Sequence, residues 1–273
     1  MWASNVTAEA DDVSITIDGG SFGNVYGGGW AQKGGNSVVG DVSIGISGGT
    51  IANVFGGGTH SVDGAKGTTV AGSVNITVAG GNITGAIYAR GQSATDTVAV
   101  KEGETVTVTF TGDQNFGCGV YGYSYVGGED PSAAVLNFTA YAGMFSGKLG
   151  GFGSIVFDDD TAMTLTTAAA DVSNGKWEFD FTDRDATLSD TSFLTWSGAN
   201  FAGDTVKVTF ADATQAAAGW SIADAAFTGA TFDLWIGGSE ITSVAYDTAI
   251  ADGDWAGWKF TSVDGTLKFA NIA

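Results

Sequence analysis

Residues 13–29 read VSITIDGGSFGNVYGGG, and residues 42–58 read VSIGISGGTIANVFGGG. Both stretches run through the same elements in the same order. An alternating apolar triplet comes first, then a glycine pair, an aliphatic–aromatic pair and three glycines. The triplet Val13, Ile15, Ile17 returns as Val42, Ile44, Ile46, as Val74, Ile76, Val78 and as Val106, Val108, Phe110, with Leu136 and Phe138 next. A period of two marks a strand with one buried face. The pairs are Val25–Tyr26, Val54–Phe55, Ile87–Tyr88, Val120–Tyr121 and Met144–Phe145. Gly19–Gly20, Gly48–Gly49, Gly80–Gly81 and Gly112–Asp113 link triplet to pair, and glycine takes a sharp corner without steric penalty. A third short apolar segment, as in SVVGD, TTVAGS and DTVAV, precedes the next triplet.

The pattern continues in the second half with larger side chains: Trp177, Phe179, Phe181; Val206, Val208, Phe210; Phe232, Leu234, Ile236; then Trp258 and Phe260. Of the 44 glycines, 34 precede residue 154, and six of the eight tryptophans follow residue 176. The expected organisation is therefore residues 1–153 as regular glycine-rich coils. Residues 154–273 continue as Trp- and Phe-rich coils ending in a cap. One repeat cannot bury its apolar face alone, and stacking repeats solves this by pairing each strand with its equivalent one coil on. Three short strands per coil of roughly 26–33 residues predict an all-β, right-handed parallel β-helix of about nine coils. A sandwich would not need the same ordered elements at near-fixed spacing.

Composition agrees. Net charge is −20, and the acids are 24 Asp against 6 Glu. Asp suits turns because its short side chain bonds nearby backbone. So acidic a surface repels nucleic acid, since it cannot neutralise phosphates. Cys118 is the only cysteine, so no internal disulfide framework exists. No apolar run reaches the roughly 18–20 residues of a membrane-spanning helix, and MWASNVTAEADD has neither the basic start nor the apolar core of a signal peptide.

These repeats, with the Trp-rich close GWKFTSVDGTLKFANIA, resemble the β-helical passengers of bacterial autotransporters and related surface adhesins. The resemblance implies a secreted, cysteine-poor, rod-shaped and adhesive module at the bacterial surface. It implies partners such as a host or bacterial glycan or protein, or other copies stacked end to end or laterally. No membrane-barrel segment follows residue 273, so the expectation is an excised passenger or a fragment of one.

Residues with chemical potential are few. His60, the only histidine, lies in GGGTHSVDGAKG beside Asp63 and reads as a solvated loop residue. Cys118 in FGCGVYG has no base beside it and reads as a small buried residue. Asp158, Asp159 and Asp160, and the pair Asp252 and Asp254, could offer carboxylate oxygens to calcium, but neither fits the calcium-loop pattern. No other cofactor is expected. Paired carboxylates could cleave a polysaccharide. Enzymes that act on acidic polysaccharides want basic residues, and the only arginines are Arg90 and Arg184. The GGG runs lack the Lys-Ser/Thr of a phosphate loop. Asn5, Asn75, Asn82 and Asn137 are N-x-Ser/Thr sites, relevant only in a glycosylating host. The better clue is VYGYSYVGG. Tyr121, Tyr123 and Tyr125 are more tyrosines than one core needs, and such rings stack on sugars or anchor protein interfaces. The expected function is non-enzymatic adhesion or structure, with a polysaccharide-active β-helix enzyme as the alternative.

Overall fold

The computed structural model describes residues 2–4, 7–32, 36–60, 68–92, 97–98, 105–123, 125, 134–168, 171–173 and 176–271. Asn5 and Asp63 lie outside them. The chain is a β-solenoid of about six turns made of stacked parallel sheets. It divides into two compact units, residues 1–137 with 147–153, and residues 138–146 with 154–273.

In the first unit the triplets pair as the sequence aligns them. Val13, Val42, Val74 and Val106 form one parallel rung, and Ile15, Ile44, Ile76 and Val108 the next. From Val42 onward these side chains are buried to 1% exposure or less, whereas Val13 and Ile15 are partly exposed. Each full burial of such a side chain is worth about 1.5–3 kcal/mol. Gly20, Gly49, Gly81 and Gly112 all have φ between 83° and 90°, the left-handed corner that turns each triplet toward its pair. The pairs then stack: Val25, Val54, Ile87, Val120 and Leu149 are successive partners. Thus Leu149–Gly150, not Met144–Phe145, follows Val120–Tyr121. Met144–Phe145 pairs with Thr164–Leu165 in the second unit instead. The third segments give Thr7–Ala10, Asn36–Val39, Thr68–Val70 and Thr97–Val98, again parallel. A further sheet joins Trp2–Ser4, Trp30–Gln32 and Thr59–His60.

The residue ahead of each triplet holds the coils together from outside. The Asp12 carboxylate accepts the Asp41 backbone N–H at 2.9 Å, Asp41 accepts that of Ser73 at 2.8 Å, and the Ser73 hydroxyl accepts that of Thr105 at 3.2 Å.

The second unit stacks Ser154–Asp158, Lys176–Asp180, Thr205–Phe210 and Thr231–Ile236 in parallel. Ile155, Trp177, Val206 and Phe232 form one inward rung, all at 2% exposure or less. The strand Ser154–Asp158 is an additional rung, hidden from the triplet spacing because its inward residues are only Ile155 and Phe157. The solenoid has about six turns where nine coils are expected. Gly237 and Gly238, both at positive φ, reverse the chain so that Ser239–Ala245 pairs antiparallel with Thr231–Ile236. Trp258–Val263 and Thr266–Asn271 form a second antiparallel hairpin, which joins Ser221–Ala226. Trp258 and Phe260 therefore belong to this hairpin and not to another coil. Phe260 still stacks on Phe232, with centroids 4.5 Å apart.

Candidate functional site

Tyr26, Phe55, Tyr88 and Tyr121 occupy the aromatic place of the repeated pair, one per strand. Strands about 4.8 Å apart put equivalent rings at stacking distance. The centroids are 4.9, 5.3 and 5.2 Å apart, with interplanar angles of 9°, 9° and 26°. Tyr123 stacks on Tyr121 at 5.2 Å, and Tyr125 stands edge-on to Tyr88 at 5.2 Å and 81°. Phe55 is buried, Tyr26, Tyr88, Tyr121 and Tyr123 are partly exposed, and Tyr125 is 60% exposed. The three tyrosines of VYGYSYVGG thus cluster at the end of an aromatic stripe.

Polar groups border its other end. The Tyr26 hydroxyl donates to Gln92 Oε1 at 3.0 Å and accepts from Asn24 Nδ2 at 2.9 Å. Asn53 donates to Asn24 at 3.0 Å and accepts the Ala86 backbone N–H. Burial, and then the neighbouring Tyr121, Tyr125 and Tyr123, push the Tyr88 hydroxyl above its ordinary pKa, and burial and Tyr121 do the same to Tyr123. Both hydroxyls stay protonated at neutral pH and keep a proton to donate.

The other sequence candidates fall elsewhere. His60 is partly buried in a short strand and pairs with Ala31. This corrects its reading as a loop residue. Cys118 is 3% exposed, and burial pushes its thiol up to about 12. Asp158 ends a strand, and Asp159 turns the chain at φ 55°. The Arg184 side chain reaches that turn from a later segment of the chain. Arg184 donates to the Asp159 and Thr161 carbonyls at 3.0 and 2.8 Å and to Thr191 at 2.8 Å, with its guanidinium 3.7 Å from the Phe193 ring centre. Burial pulls the Arg184 pKa down to about 10, with Asp160 opposing, so it is charged at neutral pH. Asp160 accepts the Asp185 backbone N–H. Asp252 and Asp254 are exposed either side of Gly253, which has φ 76°. Among the described residues no three His, Cys, Asp or Glu side chains gather closely enough to hold a metal, and no helix is long and apolar enough to cross a membrane.

The repeated aliphatic–aromatic pair on stacked coils predicts an aromatic ladder, and Tyr26, Phe55 and Tyr88 form one beneath the tyrosine cluster. Comparison with family models, curated proteins and solved structures finds no match to this chain.

Proposed function

We propose that this chain is a non-catalytic, adhesive and structural β-solenoid module working outside the cell, akin to an autotransporter passenger, with the tyrosine stripe as its ligand face. A surface glycan or protein is the partner. The observation that carries this reading is the ordered ring stack ending in the exposed Tyr125. Rings fixed by stacking lose little conformational freedom when a sugar ring or an apolar side chain settles on them. Protonated Tyr88 and Tyr123 hydroxyls add directional donors. The test is retention of the protein on immobilised mucin glycans and on bacterial cells. Tyr123→Ala with Tyr125→Ala should abolish retention, and Tyr125→Ala alone should leave the unfolding free energy within about 0.5 kcal/mol of wild type. Retention unchanged in the double variant would refute the assignment.

Self-association has an observation of its own. Among the described residues, Val13–Tyr26 pairs on one side only, with Val42–Phe55, and leaves Phe22 44% exposed. An unpaired strand edge is a template for another strand. Sedimentation equilibrium of wild type against Ile15→Lys tests this reading, which expects oligomers in the first and monomers in the second.

A further inference from the structure

Outward positions of the parallel strands change character between the two units while inward positions keep theirs. In the first unit the outward residues between the triplet's apolar positions are Ser14, Ser43, Asn75 and Thr107, then Thr16, Gly45, Thr77 and Thr109, all uncharged. In the second unit one outward rung reads Glu178, Lys207, Asp233, and its neighbour reads Asp180, Thr209, Trp235. Packing does not call for this change, because these side chains point away from the core. Only ten cationic residues occur in the chain, and Lys176 and Lys207 stand on adjacent strands here.

These residues line a groove of about 250 Å³, formed by Ser154, Lys176, Glu178, Thr205, Lys207 and Asp233. Its walls are held in place. The Lys207 ammonium donates to Glu178 at 2.6 Å and lies 4.9 Å from the Trp235 ring centre. The Thr209 hydroxyl reaches the same Glu178 oxygen at 3.4 Å. Trp177, beneath the groove, donates its indole N–H to Asp204 at 3.0 Å.

We infer that this groove is a second binding site, separate from the tyrosine stripe, and that it takes one neutral saccharide unit of a glycan. Two ammonium groups and two carboxylates cancel, so the site exerts no net pull on an ion. Donors and acceptors alternate closely along it, which matches the adjacent hydroxyls of a sugar, each both donor and acceptor. The volume is below the ~300–1,000 Å³ of pockets for larger ligands, so it suits a single ring. A neutral ligand is also indifferent to the chain's large negative charge.

The test is titration of the full chain with glucose, galactose, N-acetylglucosamine, cellobiose and lactose, with glucuronate as the charged control. The readout is the indole N–H resonances of Trp177 and Trp235 in ¹⁵N-labelled protein. A neutral sugar should shift both signals, and glucuronate should not. Asp233→Asn should weaken that binding by about tenfold or more, as expected for a lost hydrogen bond to a charged group, while Tyr125→Ala should leave it intact. No shift with any of the neutral sugars overturns the inference and leaves Glu178, Lys207 and Asp233 as a charge ladder on the sheet. Sugar binding removed by Tyr125→Ala but not by Asp233→Asn overturns it as well, and leaves the adhesive reading standing. Shifts at both tryptophans in a protein that is not retained on cells uphold the groove and refute the adhesive reading instead.

Discussion

Ile44 has 1% of its surface exposed and lies between Ile15 and Ile76, while Ser43 beside it is exposed. Ile44→Ala leaves a cavity and should cost about 2–5 kcal/mol. Ser43→Ala should change stability by no more than about 0.5 kcal/mol. Urea unfolding of both variants checks the pair, and a larger loss at Ser43 would mean the strand faces the other way. Asp204 tests the second unit through pH. Desolvation raises its pKa above the ordinary carboxylate value, and the Trp177 hydrogen bond only partly offsets this. A raised folded pKa favours the protonated form, so the contribution is favourable below about pH 3.9, the unfolded value. It is lost as pH rises through the folded value. Asp204→Asn keeps an acceptor for Trp177 and removes the ionisation. It should raise the melting temperature at pH 7 and leave it nearly unchanged at pH 3. A lower melting temperature at pH 7 would show that the charge, not its desolvation, dominates.

At the scale of the strand and its corner, the three-glycine runs matter for what they exclude. A Cβ on Gly56 would lie 2.2 Å from the Ala89 carbonyl oxygen and 2.6 Å from Val74 Cγ1. A Cβ on Gly45, mid-strand and outward, would meet nothing within 4 Å. Gly56→Ala should therefore cost at least about 1–3 kcal/mol through overpacking. Gly45→Ala should be neutral or stabilising by up to about 1 kcal/mol, since alanine loses less backbone freedom on folding. Thermal unfolding of the two variants decides it, and equal effects would contradict the stacked-corner geometry. The same contrast shows what was legible in advance. Val42, Ile44 and Ile46 announce an inward face because period two can be read along one strand. The ladder from Asp12 through Asp41 to Ser73 could not be read that way, because it depends on which coils touch and mixes carboxylate with hydroxyl. Tyr121, Tyr123 and Tyr125 were legible as a cluster from their crowding. The groove around Lys207 was not, since its residues come from four strands and share no motif. Trp258 and Phe260 misled because an antiparallel hairpin alternates with the same period as a parallel rung.

At the scale of the molecule, a solenoid divides its side chains into two sets. Inward residues repeat because each must pack on its equivalent one coil away, as Phe138, Phe157 and Phe179 do with centroids 5.7 and 5.0 Å apart. Outward residues have no such constraint, so departures there, such as the tyrosines after Val120 and the charges around Lys207, are where binding can be written. Both proposed sites depend on parallel, in-register stacking, because only that arrangement brings equivalent positions of successive repeats side by side. Disulfide trapping measures this directly. Ser43 and Asn75 are exposed partners on neighbouring strands. Their Cα atoms stand about 4.8 Å apart, within the ~4.4–6.8 Å that a disulfide spans. Residues 43 and 77 are about 8 Å apart on that lattice, beyond reach. In a Cys118→Ser background, Ser43→Cys with Asn75→Cys should form an intramolecular disulfide readily under mild oxidation. Ser43→Cys with Thr77→Cys should not. Crosslinking of the 43–77 pair in preference to the 43–75 pair, or of neither, would contradict the in-register parallel stack on which both sites rest.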